Sequence, residues 1–206
     1  MTTVTSSEKQ TLKLGEKIAC QLKGGEVLAL TGELGTGKTV ITKGIARFLG
    51  IKKHITSPTF VLMKLYPVKP DSVGAKQFNR VNKIQNSTPT RTPTVPSGQE
   101  SRGSDRKRRR IKNFLHIDAY RLNSGRDLLD IGLEDWLNRP DTIIVIEWAE
   151  RVRDILSKKI IKVNLKIGRK NNERIIKVEN IPISSKSFNL VKKSRIPTET
   201  SGEFRK

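Results

Sequence analysis

Apolar residues recur along this chain with two distinct periods, and the changes from one to the other divide it into elements. Leu14, Ile18 and Leu22 share one face at helical spacing. Upstream, Thr5 or Ser7 can cap that helix, with Glu8 or Gln10 three residues on completing a capping box. Gly24-Gly25 ends it, and Glu26-Val-Leu-Ala-Leu-Thr31 follows as a short apolar run of the kind that forms a buried strand. From Val40 to Leu49 the helical period returns until Gly50 stops it. Ser57-Pro-Thr-Phe60 reads as a turn feeding a strand from Val61 to Tyr66, and Phe114-Leu-His-Ile-Asp118 as a further strand. Residues 126 to 137 form one or two short helices around Gly132. Thr142-Ile-Ile-Val-Ile-Glu147 has the continuous apolar character of a strand buried on both faces. Ile161, Val163, Leu165 and Ile167 alternate with Lys162, Asn164 and Lys166, and Ile175 to Val178 follows a polar turn, the pattern of an antiparallel hairpin with one wet face. Strands interleaved with helices define an α/β chain.

Between Tyr66 and Phe114 this patterning stops. Residues 67 to 113 are rich in Pro, Ser, Thr, Asn and Gln, and end in Arg106-Lys-Arg-Arg-Arg110. They carry 12 lysines and arginines against 3 acids, a net +9. Such a composition cannot bury enough apolar surface to offset the entropy of ordering it, so a disordered basic insertion is expected. Residues 185 to 206 hold 6 basic residues against 2 acids and read as a basic, disordered tail. Of the formal charge of +21, these two segments leave +8 for the other 137 residues, so the charge lies largely outside the part that folds. With 206 residues and 34% hydrophobic content, the chain supports one α/β core over residues 1 to 184 rather than two substantial domains. The single cysteine, Cys20, is expected as a small core residue; alone it makes no disulfide within the chain, and with two histidines a zinc site would be hard to build. No apolar run reaches transmembrane length and no signal-peptide core opens the chain, so a soluble cytoplasmic protein with no membrane partner is the expectation.

Chemistry enters at Gly32-Glu-Leu-Gly-Thr-Gly-Lys-Thr39, a complete G-x-x-x-x-G-K-[ST] loop set between the strand ending at Thr31 and the helix beginning near Val40. In that context backbone N–H groups curl around phosphates at the positive end of a helix, Lys38 adds a point charge for the outer phosphates, and the Thr39 hydroxyl ligates Mg²⁺. Glu33, Leu34, Gly35, Thr36, Gly37, Lys38, Thr39 and Val40 are therefore the expected nucleotide-binding residues. An acid at the carboxyl end of a neighbouring strand completes the metal site in such proteins. Asp118 and Glu147 both hold such positions. Either could instead be a helix N-cap or a solvated loop acid, and spacing does not say which meets magnesium and which orients an attacking water.

Five blocks in order resemble the motif set of the TsaE family of bacterial tRNA threonylcarbamoyladenosine biosynthesis ATPases. They are the Gly32 to Thr39 loop, Ser57-Pro-Thr-Phe60, His116-Ile-Asp-Ala-Tyr-Arg-Leu122, Gly132-Leu-Glu134 and Ile146-Glu-Trp-Ala-Glu150. The resemblance spans residues 9 to about 168, interrupted by the insertion. It implies a three-layer P-loop NTPase fold whose central parallel sheet is extended by antiparallel strands. It also implies binding of ATP with Mg²⁺, slow hydrolysis, and association with TsaB and TsaD. That complex places a threonylcarbamoyl group on the adenosine beside the anticodon of tRNAs reading codons that begin with A. In the family TsaE does not perform the transfer; its ATP cycle supports turnover of its partners. By matching position, Lys38 grips phosphates, Thr39 binds magnesium, Glu147 ligates it directly or through water, and Asp118 is a catalytic acid near the γ-phosphate. Thr59 sits in a switch-like segment that could sense the γ-phosphate, and Trp148 packs near the nucleotide. His116, two residues before Asp118 and so on the same strand face, reads as a supporting residue rather than a base. Tyr120 and Arg121 are candidates for partner or phosphate contacts.

The insertion and the tail depart from the family pattern. The family runs a short connection between the strands ending at Tyr66 and starting at Phe114, so the ends of the insertion are expected to lie close together. It reads either as a tolerated long loop, since lengthening a loop costs little closure entropy, or as an arm whose Arg106 to Arg110 run touches tRNA phosphates directly. Otherwise contact with tRNA is expected through the complex. A small-molecule or nucleotide kinase on the same loop is the alternative function, but it would need an acceptor pocket and a lid. A non-catalytic RNA-binding protein would leave the loop and both acids unexplained, and 5% aromatic residues provide few stacking platforms.

Overall fold

A computed structural model describes residues 1–57, 62–69 and 111–182. Thr59, the Arg106 to Arg110 run and the tail from 185 to 206 lie outside the described residues, as does most of the 67 to 113 insertion. The described elements, in chain order, are β1 (Thr2–Thr5), α1 (Glu8–Ala19), β2 (Val27–Thr31), α2 (Lys38–Phe48), β3 (Met63–Pro67), β4 (Asn113–Asp118) and α3 (Arg126–Asp130). A 3₁₀ turn (Leu133–Asp135), β5 (Thr142–Glu147), a 3₁₀ segment (Ala149–Ile155), β6 (Ile161–Ile167) and β7 (Arg174–Glu179) follow.

The strands make one seven-stranded sheet in the order β1-β7-β6-β2-β5-β4-β3. Its centre, β6-β2-β5-β4, is parallel, and β3, β7 and β1 add to its edges antiparallel. This is the mixed α/β sheet expected, with one strand more than the apolar pattern announces. Strand β1 is three threonines and one valine, and is defined by its pairing with β7 rather than by any periodicity of its own. It also settles the helix cap: Thr5 belongs to β1, while the Ser7 hydroxyl accepts from the Gln10 N–H at 3.3 Å. The Gln10 side chain returns to the Ser6 N–H at 2.7 Å, a capping box shifted by one residue.

Side-chain alternation divides the apolar residues into two cores, one on each face of the sheet. Leu28 and Leu30 of β2, Phe114 of β4, and Ile143 and Val145 of β5 face α1 and α2, packing on Leu14, Ile18, Leu22, Ile41 and Ile45. Leu115, Ile117, Ile144 and Ile146 face the opposite way and pack on Leu128, Leu133 and Val152. Strand β5, buried at every position, is the double-faced strand its sequence announces. Cys20 departs from expectation. It is the C-cap of α1, one residue past the helix, and is half-buried rather than in the core.

The ends of the insertion are close, as expected: Pro67 pairs with Asn113 across β3 and β4, and the Val68 N–H donates to the Lys112 carbonyl at 2.7 Å. Among the described residues no helix is long and apolar enough to cross a membrane.

Helices α1 and α2 cross where Gly15 meets Gly44. A Cβ on Gly44 would stand 2.2 Å from the Leu12 carbonyl oxygen and 2.9 Å from the Gly15 Cα, so the helices touch backbone to backbone. Since α2 carries Lys38 and Thr39, this crossing fixes their place over the sheet. Gly44→Ala is expected to lower stability by about 1–3 kcal/mol through overpacking, measured by chemical denaturation. A variant as stable as the parent would show that the crossing is looser than described.

Candidate functional site

The site is assembled at the carboxyl edge of the parallel strands. Strand β2 stops at Thr31 and the chain turns through Gly32, where a Cβ would lie 2.2 Å from the Leu165 carbonyl oxygen of β6, so only glycine passes. Gly37, with φ 96°, is the left-handed residue that starts α2, and the Ile41 N–H donates to its carbonyl at 3.0 Å. The Thr36 hydroxyl ties the loop to itself by donating to the Glu33 carbonyl at 2.8 Å. Glu33, Leu34 and Gly35 are exposed at the apex, and Thr39 and Val40 are half-buried at the start of the helix. These features give the residues the motif names a loop of the shape that suits a phosphate.

Lys38 is buried and folds back on the loop. Its Nζ donates to the Gly32 carbonyl at 2.6 Å and the Glu33 carbonyl at 2.9 Å, and lies 3.6 Å from the centre of the Trp148 ring. Burial pulls the lysine pKa below its ordinary value, while the charges of Glu147, Glu150 and Asp118 act to raise it. A cation so placed, held by neutral carbonyls rather than by a direct ion pair, is suited to an anionic ligand such as a phosphate. Trp148 reaches it from a strained backbone, φ 58°, immediately after β5, and its ring also meets that of Tyr120 at 4.9 Å between ring centres.

Register brings the two acids together: Asp118 ends β4 beside Glu147, which ends β5. Their partners differ. Glu147 is buried, and its Oε2 accepts from the Thr39 hydroxyl at 2.8 Å. Its Oε1 accepts from the Thr42 hydroxyl at 3.0 Å and pairs with His116 Nε2 at 2.8 Å. Asp118 accepts from the Ser57 hydroxyl through Oδ2 and from the Tyr120 N–H at 3.0 Å through Oδ1. One acid is therefore joined to the hydroxyl that follows the loop lysine, the other to the serine that opens Ser57-Pro-Thr-Phe60.

The Thr39 hydroxyl and the Glu147 carboxylate are hard oxygen donors on adjoining elements. Mg²⁺ keeps most of its waters and takes few protein oxygens, completing its shell with phosphates. These two residues fit such an ion, and the cradle with Lys38 fits the phosphates.

Two participants escaped the motif reading. Thr42 lies three residues after Thr39, which puts both hydroxyls on one helix face; that spacing was the available signal. Arg174 opens β7, and its guanidinium donates to the Gly35 carbonyl of the loop at 3.0 Å and to the Asn171 and Glu173 carbonyls at 2.7 and 2.8 Å. Nothing in the local sequence marks it, because only the return of the β6–β7 hairpin to the loop brings it there.

A strand, a glycine loop and a helix on a mixed sheet with parallel central strands, and a strand-end acid bonded to that helix, define a P-loop NTPase-like fold. The chain belongs to the TsaE family: the family model described as threonylcarbamoyl adenosine biosynthesis protein TsaE matches residues 5–78 and 78–176. Proteins named tRNA threonylcarbamoyladenosine biosynthesis protein TsaE are similar over most of its length. That of Rickettsia typhi is 31% identical over 178 residues, covering 85% of this chain and 93% of its own. That of Mycobacterium tuberculosis is 30% identical over 171 residues, covering 81% and 79%. The crystal structure of Bacillus subtilus YdiB shares the fold, with a TM-score of 0.56 and 23% identity over 85% of this chain and 82% of that one.

The contact between Lys38 and Trp148 yields an optical readout. With Trp136→Phe leaving Trp148 as the reporter, adding ADP and Mg²⁺ is expected to change tryptophan emission saturably as the ammonium leaves the ring, and Lys38→Ala is expected to abolish the response. An unchanged response in Lys38→Ala would show that the amine does not connect ligand to ring.

Proposed function

We propose that this protein is a Mg²⁺-dependent ATPase accessory subunit in the biosynthesis of threonylcarbamoyladenosine on tRNA, acting in the cytoplasm with TsaB and TsaD and leaving the transfer step to them. The observation that carries the reading is the joining of the phosphate loop to Glu147 through the Thr39 hydroxyl, in a chain of the TsaE family. Lys38 would exchange its bonds to the Gly32 and Glu33 carbonyls for phosphate oxygens, so that the buried ammonium neutralises the outer phosphates. Thr39 and Glu147 would hold Mg²⁺, which supplies electrostatic stabilisation of charge on the phosphates. Asp118, the neighbouring acid whose partners lie toward Ser57, would orient the attacking water and accept its proton. Contact with tRNA is through the complex.

The test is phosphate release by the purified protein, alone and with TsaB and TsaD. The expected result is slow turnover alone and strong stimulation by the partners, with Lys38→Ala and Glu147→Ala each reducing the stimulated rate by about 10²-fold or more while circular dichroism shows both folded. Turnover unaffected by the partners would contradict the accessory role, and phosphate appearing on a small acceptor would assign a kinase instead.

A further inference from the structure

His116 has no part in the chemistry just described, yet its ring is wholly buried and one of its nitrogens touches the acid assigned to the metal. Its neighbours along β4 are Phe114, Leu115 and Ile117, all buried, with the Phe114 ring 6.5 Å away. An apolar residue would satisfy this position as packing. The imidazole instead leaves Nδ1 without a hydrogen-bond partner among the described residues, a cost that its Nε2 contact must offset.

Counting lone pairs shows what that contact does. An ionised carboxylate only accepts, and each oxygen takes about two hydrogen bonds. Oε1 of Glu147 is filled, by the Thr42 hydroxyl from α2 and by Nε2–H of His116 from β4. Among the described residues, Oε2 accepts from Thr39 alone. The terminal torsion of a glutamate is a broad, roughly two-fold rotor, so two donors on opposite elements are what hold one oxygen inward and turn the other toward Thr39.

We propose that His116 is a positioning residue for the metal site: with Thr42 it saturates Oε1 of Glu147 and leaves Oε2, beside the Thr39 hydroxyl, as the oxygen that meets a divalent cation. This rests on the assignment of Glu147 to the metal. It makes His116 a determinant of cation affinity through Glu147, without contact to nucleotide or cation.

The test is Mn²⁺ binding to the full-length protein in the presence of ADP, followed by electron paramagnetic resonance, beside ADP binding in EDTA and thermal melting. His116→Gln carries an amide that can reach the Nε2 position, whereas the shorter side chain of His116→Asn places its amide near Nδ1 and away from Glu147. His116→Asn is expected to weaken Mn²⁺ binding about tenfold or more, with ADP affinity in EDTA unchanged, and His116→Gln to restore Mn²⁺ binding to within about threefold of the parent. Equal Mn²⁺ affinity in the Asn and Gln variants would overturn the proposal, as would parallel losses of Mn²⁺ and cation-free ADP binding, which is what a purely structural role produces. Glu147→Gln separates the two levels. If it leaves Mn²⁺ affinity unchanged, the metal assignment of Glu147 fails and the proposal with it; if it weakens binding while His116→Asn does not, the proposal alone fails.

Discussion

The site depends on a single buried carboxylate. Glu147 ends the most thoroughly buried strand of the sheet, and a charge there is tolerable only with hydrogen-bond donors on both its oxygens; a buried polar group stripped of its partner costs about 1–3 kcal/mol, and more when it is charged. The engagement comes from three donors on two elements: Thr39 and Thr42 on the first turns of α2, and His116 on the adjacent strand. Satisfying the charge therefore docks the phosphate-loop helix on the sheet in one position. The same hydrogen bonds that stabilise the fold present Thr39 and Glu147 together, so the geometry suited to a cation is set before any ligand arrives.

Other constraints serve that docking. The glycine crossing of α1 and α2 lets the helices approach backbone to backbone, and Gly32 lets the loop pass against β6. Lys38 lies within this frame as a buried cation whose present partners are neutral carbonyls, with the Trp148 ring beside it. Its lowered pKa reflects burial that nearby acids only partly compensate. A phosphate beside the ammonium would relieve that imbalance. Asp118 adjoins Glu147 in register and accepts from the Ser57 hydroxyl and the Tyr120 N–H, on the side of the Ser57 segment.

Much of this was legible in the sequence because periodic burial writes itself into periodic residues. The span of β5 matched residue for residue, β2 and β4 came within a residue, and the hairpin of β6 and β7 showed its wet face in alternating lysines. The phosphate loop and both acids were visible since their chemistry fixes residue types at fixed spacing. Strand β1 was not, because a threonine-rich edge strand is specified by its neighbour rather than by its own apolar pattern. Cys20 was placed too deep because a helix end alters exposure within one residue. The embrace of Glu147 by Thr42 and His116, and the reach of Arg174 to Gly35, join residues far apart in sequence. Such contacts follow from register and topology, which no local pattern contains.

In the proposed division of labour, Glu147, held by Thr39, Thr42 and His116, is the metal-side acid, and Asp118 the acid of the water. A crystal structure with Mg²⁺ and a non-hydrolysable ATP analogue tests it most directly. Lys38 Nζ is expected on phosphate oxygens instead of the Gly32 and Glu33 carbonyls, the Thr39 hydroxyl on the cation, and Glu147 Oε2 on the cation or on one of its waters. A cation coordinated by Asp118, with Glu147 still confined to its three protein partners, would contradict it.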